Sequence, residues 1–178
     1  MQQGFQNSKQ ASQMLQFSCP RWAQLPGIEL YMDQVTGYLN EVFAPLCPPG
    51  EEKILTKAMV NNYVKQKVMA PPTKKKYGRA HVAQLLAICA LKQVLSIQEV
   101  AQLIRIQTQI CEVQRAYDYF CGQLEEALKQ TVQGKLENSG ASEEQLLVIH
   151  ATRAYASKVY LQKVVSAEES CFGSNRHV

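Results

Sequence analysis

The chain has 178 residues, 46% of them hydrophobic and 19% charged, the proportions of a soluble globular protein long enough to bury one sizeable core. No stretch approaches the ~18 consecutive apolar residues of a membrane span, which excludes a transmembrane helix. The net charge of +4 hides an asymmetry: no acidic residue lies between Glu52 and Glu99, and nine of the 19 Lys and Arg fall there. A local positive field of this kind attracts polyanions.

Residues 1–18 read as a flexible lead-in, polar and Gln-rich, with at most one short helical turn. They carry no apolar segment of a signal peptide, so a cytoplasmic protein is expected. The prolines and glycine after Cys19 make an irregular stretch, with Trp22 as its anchor on the core. Apolar residues from Ile28 to Phe43 recur at helical spacing and predict an amphipathic helix over 29–44. Pro45, Pro48, Pro49 and Gly50 end it.

Thr56 is the expected N-cap of a short helix. Met59, Val60, Tyr63 and Val64 share one arc of its wheel; Lys57, Asn61, Asn62, Lys65 and Gln66 share the other. Pro71 and Pro72 stop the helix, and residues 73–78 form a basic connection ending in Tyr77. Residues 80–94 are apolar nearly all round and predict the central core helix. Ser96 and Glu99 make a capping box that opens a helix over 97–104.

A heptad-like helix follows over 107–132, with Ile110, Val113, Tyr117, Phe120, Leu124 and Ala127 along one stripe. That stripe can pack on Leu146, Ile149 and Tyr160 within the chain, pair with a second subunit, or both. A homodimer through 107–132 is the expected assembly. A turn is expected over 133–141. A second capping box, Ser142 to Gln145, opens a final helix to about Val165, and residues 166–178 read as a flexible tail.

Chemistry-bearing signatures of enzymes are missing: there is no phosphate-binding glycine loop, no H-E-x-x-H and no G-x-S-x-G. His81, His150 and His177 are isolated, and the adjacent glutamate pairs point in different directions on a helix. The six cysteines have neither C-x-x-C nor zinc-ligand spacing. Cys89, Cys111 and Cys121 read as small hydrophobes in helices, and Cys171 as the exposed one. No catalytic residue, metal or cofactor is expected.

The order of features in the basic window, an amide- and lysine-bearing helix, a Lys-rich turn and two core helices, is that of a winged helix-turn-helix. In such a layout one helix enters the major groove, where Asn and Gln bond adenine and Lys bonds guanine. The wing neutralises phosphates. The stretch Leu55-Thr-Lys-Ala-Met-Val-Asn-Asn-Tyr63 resembles the recognition-helix segment of mercury-resistance-regulator (MerR) type proteins. Pro71-Pro72 resemble that family's break before the wing, Lys75-Lys76-Tyr77 its wing, and residues 94–100 its next helix start. The chain departs from the pattern at Val68, where a glycine is usual, and at Asn61, where an arginine is.

More closely, Leu25-Pro26, Leu30-Tyr31-Met32-Asp33-Gln34-Val35 and residues 55–72 resemble an uncharacterised bacterial family, DUF1836, over about residues 20–125. The resemblance implies a fold and little about function.

The expected architecture is therefore all-α: a winged helix-turn-helix (MerR-like) core over 19–105, followed by an antiparallel helix pair over 106–165. The expected function is duplex-DNA binding by a transcriptional regulator. Lys57, Asn61, Asn62, Lys65 and Gln66 would face the groove, with Lys74, Lys75, Lys76, Tyr77 and Arg79 on phosphates. The alternative is a protein-interaction module that keeps the scaffold and docks an acidic partner on the same face. A third reading is an unrecognised enzyme, or a small-molecule sensor with a pocket lined by Tyr117, Tyr119, Phe120, Tyr155 and Tyr160; core packing or a dimer seam is the simpler assignment for these rings.

Overall fold

The structure, a computed structural model, describes residues 5–47, 50, 53–133 and 141–173. Most of the turn expected over 133–141, the side chain of Leu146, the exposure of Cys171 and the chain beyond 173 lie outside the described residues. Among the described residues are seven α-helices and one two-stranded antiparallel sheet. None of the helices is long and apolar enough to cross a membrane.

Helix α1 (Lys9–Gln16) corrects the reading of 1–18 as a flexible lead-in. Ser8 caps it, accepting the Ala11 N–H at 3.1 Å, and Ala11 and Met14, one turn apart, are fully buried. Phe5 sets its ring edge-on to Tyr160 at 4.8 Å. So few apolar residues among glutamines give a faint periodic signal, yet each one is placed in the core.

An irregular strap over 17–29 then crosses α6 (Val113–Gln133), where Trp22 rests half-buried against the core, as expected. Strand β1 (Leu30–Tyr31) leads directly into α2 (Met32–Phe43), so the helix starts three residues later than its pattern suggested. Leu30 pairs with Tyr77 and Tyr31 with Lys76 of β2 (Lys76–Tyr77). A helix cannot begin while its first residues are extended in a ladder, and Ile28 consequently stays in solvent.

Helix α3 (Lys57–Lys65) and the central α4 (Arg79–Leu91) follow; α4 buries Val82, Leu85, Leu86, Ile88 and Cys89 and is enclosed on nearly every side. Ser96 and Glu99 form the expected capping box of α5 (Ile97–Ile110), which runs six residues beyond its expected end. The long helix expected from 107 instead begins at Val113, because Cys111 is extended and separates α5 from α6. No Gly or Pro marks that break.

Helix α7 (Glu143–Gly173) opens on the expected Ser142–Gln145 box, and its backbone stays helical to Gly173, past Val165. Tyr117, Phe120, Leu124 and Ala127 of α6 are buried within the chain, where α6 packs on α7, α4 and α1. The hydrophobic core runs unbroken from Phe5 to Val159. The helix pair over 106–165 and the basic part over 19–105 share this one core.

Candidate nucleic-acid interface

Helix α3 is fastened to the body at both ends. Before it, Leu55 is fully buried and its backbone is gripped by one side chain: Asn40 on α2 donates from Nδ2 to the Leu55 carbonyl and accepts the Leu55 N–H at Oδ1, both at 3.0 Å. Lys92 Nζ donates to the Ile54 carbonyl at 2.7 Å. Burial pulls the Lys92 pKa down, while the neighbouring Cys89 opposes the shift; burial pushes the Cys89 thiol up to about 12. Thr56 caps the helix as expected, its hydroxyl accepting the Met59 N–H at 3.3 Å, worth about 1 kcal/mol.

The far end closes with the Val68 N–H on the Tyr63 carbonyl (2.9 Å) and the Lys67 N–H on the Val64 carbonyl (3.0 Å). These two bonds make a Schellman cap, which needs a left-handed residue just past the helix. That residue is Lys67, at φ 58°. The position without its usual glycine is thus Lys67, one residue before Val68, and Val68 itself is buried in the core. Gln84 of α4 donates to the Val68 carbonyl at 2.9 Å.

Val60 and Tyr63 turn inward from α3, and burial pushes the Tyr63 hydroxyl up to about 12. The opposite face carries the amides and lysines of the sequence pattern, in three conditions. Asn61 and Lys65 are exposed without a side-chain partner among the described residues. Asn62 accepts from Gln66 Nε2 at 3.2 Å, and Gln66 accepts from Gln98 of α5 at 3.5 Å, a string of amides across two helices. Lys57 pairs with Asp33 of α2, an exposed contact of small energetic weight.

Beyond the prolines the chain folds back on itself. The Thr73 N–H donates to the Lys76 carbonyl at 3.1 Å, and the Lys76 N–H to the Thr73 carbonyl at 2.9 Å. Lys74 and Lys75 between them have φ 49° and 65°. Two consecutive left-handed residues in a two-residue hairpin define a type I′ turn, ordinarily Asn-Gly. A side chain with Cβ costs roughly 1 kcal/mol or more at each such position. The described non-glycine residues with positive φ are Lys67, Lys74 and Lys75, all in the basic window.

The remaining basic-turn residues are less free. Lys76 lies 5.5 Å from the centre of the Tyr31 ring, and Arg79 lies 5.9 Å from that of Trp22. Tyr77 is corrected as a phosphate contact: it is 2% exposed, packs edge-on to His81 at 5.7 Å, and burial raises its pKa. Its place opposite Leu30 in the sheet turns the ring inward. Lys57, Asn62 and Gln66 are exposed but partnered, and the exposed residues without a described side-chain partner are Asn61, Lys65, Lys67, Lys74 and Lys75.

Residues 20–120 match the family model described as Domain of unknown function (DUF1836). The chain belongs to this family. The DUF1836 match spans the strap, the sheet, α2 to α5 and the first turns of α6, so the whole basic face lies inside it. Helices α1 and α7 supply core from outside the matched span. No curated protein and no solved structure matches the chain.

Asn40, Lys67 and Gln98 belong to this site and fall outside the face pattern of the sequence. Lys67 stands in the acid-free window and is accessible to a reading on charge alone. Asn40 acts through backbone atoms 15 residues away and leaves no local signature. Among the described residues, no group of three or more His, Cys, Asp or Glu is arranged to hold a metal ion.

Proposed function

We propose that this protein binds duplex DNA as a transcriptional regulator, with a winged helix-turn-helix of MerR-like layout formed by β1, α2, α3, the Lys74–Lys75 turn and α4. In this reading α3 enters the major groove and Asn61 bonds a base edge through its amide. Lys65, Lys67, Lys74 and Lys75 neutralise phosphates, with Lys76 and Arg79 behind them. The observation that carries it is the type I′ turn with lysine at both left-handed positions, beside an α3 face whose Asn61 and Lys65 have no protein partner among the described residues. A turn needs no cations for its own geometry. Placing them at strained positions is explained by a polyanion outside.

The test is an anisotropy titration of a random-sequence duplex across salt concentrations. If about six phosphates are neutralised, log K falls with log salt at a slope of about −5. Asn61→Ala keeps that non-specific affinity and loses sequence preference in an in-vitro site selection. No duplex binding at low salt sinks the reading. A Lys74/Lys75-dependent acidic protein partner would then favour the interaction-module alternative. The apolar stripe expected to pair two subunits over 107–132 is largely turned inward, with Ile110 and Val113 left exposed. Sedimentation with and without duplex therefore decides how many copies bind.

A further inference from the structure

A cavity of about 250 Å³ lies between α4, α5 and α6, with Val148 of α7 contributing to its wall. Three alanines of α4, Ala80, Ala83 and Ala87, line it, and Phe120 and Leu103 stand among the larger apolar walls. An apolar cavity of about 150 Å³ already accommodates benzene. This one has room for roughly ten to twelve non-hydrogen atoms on the same scale.

Its polar groups restrict what can enter. The lining holds no Lys, Arg, His, Asp or Glu, so a charged ligand would lose its hydration without gaining a partner. The Tyr117 hydroxyl is already used, donating to the Pro20 carbonyl at 2.7 Å. Gln84 and Gln107 each give their amide N–H to a carbonyl, Val68 at 2.9 Å and Glu144 at 2.8 Å. A carbonyl accepts only from the NH₂ end, which fixes both amides and leaves each oxygen without a protein partner among the described residues. Thr108 donates its hydroxyl back to α5 and retains acceptor capacity. The acceptor groups left over among its lining residues are thus these two amide oxygens and the Thr108 hydroxyl.

We infer that this cavity binds a small, uncharged, mostly apolar molecule carrying a hydrogen-bond donor, such as a phenol, alcohol or N–H heterocycle. The site has a direct connection to the candidate interface. The amide of Gln84 in its wall holds the Val68 carbonyl, the residue that completes the Schellman cap of α3. A ligand that draws on Gln84 changes how the end of α3 is held. This regulatory step rests on the DNA-binding reading; the binding step does not.

The probe is 2-naphthol, with naphthalene (no donor) and 2-naphthoate (charged) as controls, titrated into the full chain without DNA by thermal shift and naphthol fluorescence. A saturable rise in Tm with 2-naphthol is expected, with less from naphthalene and none from 2-naphthoate. Ala87→Leu, at a half-buried wall position, removes it by filling the cavity, and Ala116→Leu on α6 serves where Ala87→Leu does not fold. Absence of a 2-naphthol effect, binding unchanged in both filled variants, or tighter binding of 2-naphthoate overturns the site. So does a stable dimer that must dissociate before 2-naphthol binds, since a second copy would then be the occupant.

In a second arm 2-naphthol changes duplex affinity about five-fold or more in the parent and not in Ala87→Leu, whose cavity is filled; binding of both ligands with no mutual effect overturns the regulatory step. Naphthol binding with no DNA binding retains the cavity site and defeats the regulator reading. DNA binding without naphthol binding does the reverse.

Discussion

The basic part over 55–79 and the α6–α7 helix pair use their side chains in opposite ways. In the pair, apolar stripes meet inside the chain, and even the polar groups close on it: Thr152 and Thr131 return their hydroxyls to the backbone one turn back. Over 55–79 the cations outnumber their partners, with Lys57 alone in a described ion pair, and backbone strain gathers at Lys67, Lys74 and Lys75. A helix pair that satisfies itself holds the fold together. Over 55–79 charge and backbone strain are left open at the surface, the opposite arrangement.

Damage to the two regions should therefore separate stability from binding. Leu124→Ala, at a fully buried position of α6, should cost about 3 kcal/mol. It should lower the urea midpoint with m unchanged, while the folded protein keeps its duplex affinity. Asn40→Ala should cost about 2 kcal/mol, because it leaves the Leu55 N–H and carbonyl unpaired beside the core. Here duplex affinity should also fall, since α3 loses its fastening. Equal affinity losses in the two variants would erase the distinction between the regions.

What is legible in the sequence is what acts over one turn of chain. Thr56, the Ser96–Glu99 box and the Ser142–Gln145 box each satisfy backbone groups three residues away, and all three are found as expected. The all-round apolar α4 is equally legible, because no other element needs so much cover. Tyr77 reads as a phosphate contact because its neighbours are basic, whereas its burial comes from Leu30, across the sheet. The hairpin at Lys74–Lys75 carries none of the Asn-Gly chemistry that announces a type I′ turn. Helix α1 escapes a reading by pattern because its order comes from docking on α6 and α7.

The strain at the turn gives a sharper test than a simple loss of charge. Lys74→Asn with Lys75→Gly supplies the residues that a type I′ turn prefers, and should stabilise the protein by about 1 kcal/mol. The same change removes two cations, so the salt slope of duplex binding should become shallower by about 2. A variant that gains stability and loses affinity shows lysine kept there for something other than the fold. A variant that neither gains stability nor loses affinity would dissolve the contrast between the two regions.

The smallest effect is expected where the two regions meet, at the strap. Glu125 of α6 takes the Cys19 N–H at 2.8 Å and a two-pronged contact from Arg21, at 2.9 and 2.7 Å. Burial pushes this carboxyl up, but the hydrogen bonds and the Arg21 charge outweigh it and hold the pKa below the ordinary carboxylate range. A carboxyl depressed in the folded state contributes stability above its unfolded pKa of about 4.3 and loses it as pH falls through the folded value. Arg21 is 38% exposed, so screening should keep the contribution under about 1 kcal/mol. Glu125→Gln should therefore be slightly less stable than the parent at pH 6, and the two urea midpoints should converge towards pH 3. Parallel curves would mean that the strap is held by its other contacts with α6, the Trp22 N–H on Asp118 at 2.7 Å and the Tyr117 hydroxyl on the Pro20 carbonyl at 2.7 Å, rather than by the Arg21–Glu125 pair.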